Sequence, residues 1–339
     1  MQCSFASCTF SQAISARRIV EIACRAPTDR SEATRFNIMN FALGVTTGAI
    51  AIVRLFFKLF LSSSKRFSPD DWVILATLII GLPSIVVLTF GLTAKGLGRD
   101  VWALESTELA AFGLYFLISE VLYVALMALI KLALSLFYLA IFPGQGVRIL
   151  LWATVAFLIM FGLAFVVKDV VQCSPPGYYW TRLGDDASAQ GYCVNVNMSG
   201  WVNAAVGVAV DVWLLAIPLF QIRKLQLHWK KKILAAIMFM TGALVTLVSI
   251  LRLHTLTTFA NTTNPTWDQW SLVWWSTIEV NTGIICTCLP AVRLVLLRLY
   301  PRIFGTTSTS RASRASRATP NCAESDHGDR EGSSHELKP

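Results

Sequence analysis

A few charged and amide side chains interrupt stretches of sequence that are otherwise apolar, and these are the candidates for chemistry. Glu120, Asp211 and Glu279 are carboxylates in three separate apolar stretches, and Arg252 borders a fourth. An ionisable group at membrane depth is costly, so it marks a ligand site, an ion path or a structural ion pair. The predicted pocket residues are Glu120, Lys131, Asn203, Asp211, Arg252, Glu279 and Asn281.

We expect the three carboxylates to face one cavity, with Arg252 bridging them. The alternative is a buried ion-pair network that only fixes how the helices pack. The sequence has no group of His, Cys, Asp and Glu with metal-site spacing. It also has no phosphate-binding glycine loop and no nucleophile motif. It therefore predicts neither an enzyme nor a bound cofactor.

The apolar stretches that carry these residues match the thickness of a bilayer. The chain of 339 residues is 55% hydrophobic and 14% charged, with a mean hydropathy of +0.57, whereas soluble domains carry about 25% charge. A membrane helix needs about 20 apolar residues, and backbone polar groups in lipid must be satisfied internally. We therefore predict an all-α, polytopic membrane protein with seven transmembrane helices. The predicted spans are 36–53, 72–94, 109–142, 149–167, 199–222, 233–251 and 270–292.

The distribution of Lys and Arg predicts the orientation and the domains. The odd-numbered connections and the C-terminal stretch hold more of these residues than the other side does, which favours an outside N-terminus and a cytosolic C-terminus. Sidedness also accounts for the net charge of +9, so nucleic acid is not an expected partner. The predicted parts are an extracellular tail over 1–34, a seven-helix membrane domain over 35–302 and a disordered cytosolic tail over 303–339. Basophilic kinase spacing marks three phosphorylation candidates in that tail, Ser313, Ser316 and Thr319.

Two further features belong to the predicted outer side. Cys173 and Cys193 bracket one connection, and we expect a disulfide between them because disulfides persist outside the cell. The alternative is two free thiols. Asn197 and Asn261 each begin a glycosylation sequon on the same side.

Several motifs occur together over about residues 35–302. They are Asp70-Asp71-Trp72, Gly96-Leu97-Gly98-Arg99-Asp100, Glu120 with Tyr123 and the run from Lys131 to Phe142, Trp201 with Asn203, Asp211-x-Trp213 with Pro218, Ser249-Ile250-Leu251-Arg252, and Trp275 to Asn281 followed by Cys286, Cys288, Pro290 and Arg293. In these motifs the chain resembles the fungal rhodopsin-domain family of integral membrane proteins. That family includes CFEM-containing, pathogenicity-related receptors and membrane proteins of the satratoxin-cluster type.

The resemblance implies a GPCR-like receptor of filamentous fungi. Cys3, Cys8 and Cys24 look like the end of a CFEM module, whose remaining cysteines we expect upstream of residue 1. The stretch 270–292 contains no lysine, so it offers no amine for a retinal Schiff base and light sensing does not carry over.

The expected function is that of a plasma-membrane receptor that senses an extracellular or surface cue without retinal. Its partners would be the lipid bilayer, a small-molecule or surface ligand, and a cytosolic G protein or other effector. The alternatives are a small-molecule or ion transporter that uses the same intramembrane charges, or a membrane protein of a secondary-metabolite cluster.

Overall fold

The computed structural model describes residues 30–61, 68–184, 190–224, 229–259 and 264–299, with scattered positions between 14 and 24. For residues 222–224, 229–238, 258–259 and 291–299 it describes the backbone alone. Several predicted positions lie outside the described residues: Cys3, Cys8, Asn261, Ser313, Ser316, Thr319, most of 1–34 and all of 303–339.

Seven long helices make up most of the described chain. They are α1 (Ala33–Phe56), α2 (Pro69–Val86), α3 (Ser106–Ile141), α4 (Gln145–Val170), α5 (Val196–Lys224), α6 (Trp229–Phe259) and α7 (Pro265–Leu299). Two of them continue as π-helix, α1 over Phe57–Leu61 and α2 over Val87–Thr93, and a short 3₁₀ turn covers Val101–Ala103. All seven are long and apolar enough to cross a membrane. The predicted number of spans is confirmed, and each helix extends past its predicted span at one or both ends because polar end turns were left out of the count.

Helix starts follow local sequence signals. Ser68 precedes α2 in a capping box, in which its backbone N–H donates to Asp71 Oδ2 at 3.1 Å, and Pro69 occupies the first helical position. This arrangement agrees with the sequence pattern. An equivalent box formed by Glu105 and Glu108 begins α3.

Helix α3 lies in the middle of the bundle. It packs against α2, α4 and α7, while α1 packs on α7 and α6 packs on both α5 and α7. Its buried side chains form parts of four apolar clusters, represented by Phe112, Leu117, Ile130 and Tyr138. Large apolar side chains on the outer faces of other helices remain exposed, for example Val45 at 70% and Met160 at 73%. Such an apolar exterior is what lipid contact requires.

A disulfide closes the connection between α4 and α5. The strands β1 (Cys173–Ser174) and β2 (Tyr192–Cys193) pair antiparallel with Cys173 opposite Cys193, and the two cysteines are bonded. The predicted disulfide is therefore present. We call this end of the bundle the disulfide end and the other the opposite end.

The loop after α2 fastens three helices at the disulfide end. Gly96 and Gly98 have φ angles of 117° and 76°, which glycine adopts without a steric penalty. This conformation lets Gly98 N–H donate to Thr266 O of α7 at 3.0 Å and Gly98 O accept from Glu32 N–H, next to α1, at 3.1 Å. The glycines are therefore required by the backbone path.

Candidate functional site

A cavity of about 380 Å³ occupies the disulfide-end half of the bundle. Its walls come from α1, α2, α3, α5, α6 and α7, and residues of the disulfide loop cover it. Of the predicted pocket residues, Glu120, Arg252 and Asn281 line this cavity. The volume falls within the roughly 300–1,000 Å³ typical of small-molecule sites.

The predicted carboxylates do not all reach that cavity. Asp211 and Glu279 are 7% and 3% exposed and lie behind its wall, next to two smaller cavities of about 40 Å³ each. Asn203 lines one of these smaller spaces together with Lys131. The expectation of one cavity shared by all three carboxylates is therefore wrong for Asp211 and Glu279, because Tyr123 and Arg252 stand between the large cavity and the deeper network.

The deeper network joins three helices to α3. Lys131 Nζ lies 2.8 Å from Asp211 Oδ1 of α5 and donates to Gly207 O at 2.6 Å. Ser249 Oγ of α6 contacts Asp211 Oδ2 at 2.9 Å and also contacts Glu279 Oε1 of α7. Each carboxylate is thus hydrogen-bonded, which is how buried charges are tolerated.

Arg252 connects the cavity to this network. Its Nε lies 3.8 Å from Glu279 Oε2 and donates to Ser276 Oγ at 2.9 Å, and its guanidinium sits 4.0 Å from the centre of the Tyr123 ring. The Tyr123 hydroxyl donates to Glu279 Oε2 at 2.7 Å. Among the described residues Arg252 therefore pairs with one carboxylate, and the predicted bridge between several carboxylates is wrong because the tyrosine ring occupies the other side of the guanidinium.

Glu120 stands apart from the ion pairs. Its Oε2 is buried without a hydrogen-bond partner among the described residues, as are both polar atoms of nearby Gln172. Lys131 lies on the same helix three turns away, but it pairs with Asp211. The sequence spacing placed Glu120 and Lys131 on one face and could not reveal that α5 supplies the partner of the lysine.

Two other groups shape the cavity. Asn281 Oδ1 accepts from Thr47 Oγ1 at 2.7 Å, so it ties α7 to α1. Tyr179 of the disulfide loop lines the cavity, and burial raises the pKa of its phenol well above the ordinary value.

A second buried ion cluster at the opposite end was missed in the sequence. Arg54 of α1 is 1% exposed; its Nη2 contacts Asp70 and lies 3.2 Å from Asp71 Oδ1, and its Nη1 contacts Thr287 O of α7. Lys58 Nζ lies 2.7 Å from Asp71 Oδ2. Arg54 directly follows the predicted span 36–53 and Asp71 belongs to the capping box of α2, and neither position by itself indicates a buried ion pair. The only sequence signal was the coincidence of an arginine and two aspartates at facing ends of adjacent spans.

The modification sites remain predictions. Asn197 is exposed in the first turn of α5, and the serine of its sequon, Ser199, accepts a hydrogen bond from Lys168 Nζ.

Comparison with known proteins adds the family. Residues 53–298 match the family described as Fungal rhodopsin domain. The chain is 27% identical to a SAT4 family membrane protein of Emericella nidulans, over 76% of this chain and 65% of that protein. It is 26% identical to Receptor GIN3 of Arthrobotrys oligospora, over 60% of this chain and 49% of the relative. It is 22% identical to a polyenoic acids biosynthesis gene cluster protein of Metarhizium anisopliae, over 84% of this chain and 80% of the relative.

The chain therefore spans less than two thirds of the length of the first two curated relatives. No solved structure matches it. The family match covers six of the seven candidate membrane spans fully and reaches into the end of the first. The matched range includes Glu120 and Arg252 of the cavity wall and the ion pairs behind that wall. The chain belongs to the fungal rhodopsin domain family.

Proposed function

We propose that this protein is a receptor that binds a small molecule in the 380 Å³ cavity and passes the binding event to the opposite end of the bundle. The observation that carries the proposal is the position of Arg252, which lines the cavity and also contacts Glu279 of the buried network. The relation to Receptor GIN3 is consistent with it. We propose this cavity as the ligand site. Retinal is not the proposed ligand, because α7 contains no lysine that could form a Schiff base with it.

The network gives a route for the signal. A ligand that displaces the Arg252 guanidinium, by contact or by like-charge repulsion, weakens its contacts with Glu279 and Ser276. Glu279 shares Ser249 with Asp211 of α5. Occupancy therefore changes which helices are tied together, which is the differential contact that a conformational switch needs. We propose a cytosolic G protein or another effector as the partner at the opposite end.

The proposed setting is the plasma membrane, with the disulfide end outside. A bonded Cys173–Cys193 pair persists in oxidising compartments, and the bias of Lys and Arg favours the same orientation. We expect a C-terminal tag to be protected from protease in intact cells. Digestion of that tag would contradict the proposed orientation.

A cavity-filling variant tests the receptor proposal. Ser119 lines the cavity, and Ser119→Trp fills it from α3. Thr46→Trp is the matched control, because Thr46 is exposed on the outer face of α1 and its hydroxyl, like that of Ser119, bonds its own helix. Cells that express each variant with a cAMP reporter are exposed to a small-molecule library. We expect responses from the wild type and Thr46→Trp and none from Ser119→Trp; equal responses from all three would refute the cavity as the ligand site.

The second candidate is a transporter or another membrane protein of a biosynthetic cluster. It is favoured by the ionisable residues along the bundle interior and by relatives named as biosynthesis cluster proteins. Substrate flux in proteoliposomes separates the two functions. Flux that Ser119→Trp abolishes would establish transport, whereas a cAMP response without flux supports the receptor. An enzymatic role is not proposed.

A further inference from the structure

Helices α1 and α2 are fastened to each other toward the disulfide end. Asn40 Nδ2 donates to Thr89 Oγ1 at 3.0 Å, and this pair is buried. One turn further along α1, a Cβ atom on Gly44 would stand 2.7 Å from Ile85 Cδ1. The two helices are therefore in contact from this end of the bundle to the level of Gly44.

The same helices are fastened again at the opposite end. Ala51 is fully buried and belongs to the same apolar cluster as Ile74. One turn further, Arg54 Nη2 lies 3.2 Å from Asp71 Oδ1. Helices α1 and α2 are therefore in contact on both sides of a short intermediate segment of each helix.

That intermediate segment is open. A Cβ atom placed on Gly48 or on Gly81 would meet no atom within 4 Å. Both glycines line the large cavity, together with Leu78 and Leu82, and Leu82 is 67% exposed. The cavity therefore reaches the outer surface between the two helices. We call this opening, bordered by Gly48, Leu78, Gly81 and Leu82, the α1–α2 window.

The window lies at the depth of the hydrocarbon core. Gly48 is near the middle of the span Ala33–Phe60, and Gly81 is near the middle of Pro69–Thr93. A spanning helix places its middle residues in the bilayer centre, where no water is available. A molecule that passes this opening must therefore dissolve in the membrane.

The charged residues near the cavity determine which polar head group a ligand from the membrane can carry. Lys131 is paired with Asp211, and Arg252 with Glu279. Glu120 stands outside both pairs, and its Oε2 has no hydrogen-bond partner among the described residues. A buried carboxylate oxygen that lacks a hydrogen bond is satisfied by a donor, and an ammonium group supplies both the hydrogen bond and the opposite charge.

We propose that a long-chain amine enters the cavity from the bilayer through the α1–α2 window and donates a hydrogen bond from its ammonium group to Glu120. The proposal rests on the proposed function, since it names the ligand class and the route for the same cavity. The alkyl chain lies among the apolar cavity residues and in the window, and the head group meets the Glu120 carboxylate.

Photolabelling in nanodiscs tests the head group. The probes are a long-chain primary amine with a diazirine near the nitrogen and the carboxylate with the same chain. Peptide mass spectrometry measures labelling of the cavity residues Tyr123 and Thr277, with exposed Met160 on α4 as the lipid-facing reference. We expect the amine to label the cavity about tenfold more than the carboxylate, the effect of one charged hydrogen bond, and Glu120→Gln to remove this preference. Equal labelling by the two probes would overturn the head-group assignment.

Closing the window tests the route. In the double variant Gly48→Phe, Gly81→Phe, each new Cβ atom enters open space and meets no neighbour within 4 Å. Gly146→Phe is the matched control, because Gly146 also faces open space and does not line the cavity. We expect cavity labelling to fall about tenfold in the double variant and to remain in Gly146→Phe, with Met160 labelling unchanged in both. Wild-type cavity labelling in the double variant would overturn the window as the entrance.

Further measurements separate the possible failures. If the double variant does not form its disulfide, Gly81→Leu replaces it as a smaller obstruction, and undiminished labelling again counts against the window. If the window fails while Ser119→Trp still silences the cAMP response, the cavity remains a receptor site reached from the disulfide loop. If labelling follows the proposal while Ser119→Trp responds normally, amine binding holds and the receptor proposal fails.

Discussion

Replacement of Arg54 by methionine should destabilise the protein more than the loss of any exposed charge. Methionine preserves much of the side-chain length and volume but removes the charge and every donor. Arg54 is 1% exposed and contacts Asp70, Asp71 and the Thr287 carbonyl. Its loss leaves Asp70, which is 3% exposed, without its cation.

The expected size follows from these contacts. Removing one partner of a buried ion pair costs about 3–5 kcal/mol, because the other charge stays buried without compensation. Asp71 keeps Lys58 at 2.7 Å, so the uncompensated charge is mainly that of Asp70. We therefore expect the lower half of this range, about 3–4 kcal/mol, which lowers the folding equilibrium constant roughly 100- to 1,000-fold.

The assay is equilibrium unfolding in mixed micelles by added denaturing detergent, followed by tryptophan fluorescence. Arg148→Met is the control, since Arg148 is exposed at the start of α4 and its loss should change the free energy of unfolding by at most about 0.5 kcal/mol. Asp70→Asn added to Arg54→Met should restore part of the loss. The reasoning is refuted if Arg54→Met unfolds at the same detergent fraction as Arg148→Met.

Four other variants have defined outcomes. Serine at both Cys173 and Cys193 opens a loop with a sequence separation of 20, which should cost about 3 kcal/mol in the same assay and abolish the mobility shift on reduction. Gly98→Ala should cost about 1–3 kcal/mol because its φ is +76°, and an unchanged midpoint would contradict that strain. Asp211→Asn should lower the free energy of unfolding by about 3–5 kcal/mol, because it leaves the buried Lys131 unpaired. Glu279→Gln should cost less, because Arg252 Nε lies 3.8 Å from the Glu279 carboxylate. An unfolding midpoint that is lower for Glu279→Gln than for Asp211→Asn would contradict these pairings.

Much of the fold could be predicted because each membrane helix is encoded locally. Runs such as 72–94 are long enough to cross a bilayer whatever their neighbours are, and Ser68 with Asp71 marks the start of α2 without tertiary information. The disulfide was predictable because Cys173 and Cys193 flank a single connection. The helix ends were predicted too short, since polar residues in the end turns carry no hydropathy signal.

The site was predictable in composition but not in pairing. A charge inside an apolar stretch identifies Asp211 and Glu279, yet nothing local states that Lys131 pairs with one and Arg252 with the other. Arg54 was missed for the opposite reason, because an arginine at the end of a span has the same sequence signature whether it faces headgroups or is buried against two aspartates. These assignments depend on how the helices are arranged, which a single sequence does not specify.

The contacts between helices place α6 at the centre of the proposed switching movement. Ser249 of α6 contacts Asp211 of α5 and Glu279 of α7, but a hydroxyl has one hydrogen to donate, so it can serve one carboxylate at a time. Arg252 lies one turn further on the same face of α6 and contacts Glu279 from the cavity side. In the proposed receptor, a ligand that displaces the Arg252 guanidinium leaves Glu279 with less positive charge nearby. Glu279 would then attract the Ser249 hydrogen more strongly, and Asp211 would lose that hydrogen bond. The proposed binding event would thereby change whether α6 is held more firmly to α5 or to α7.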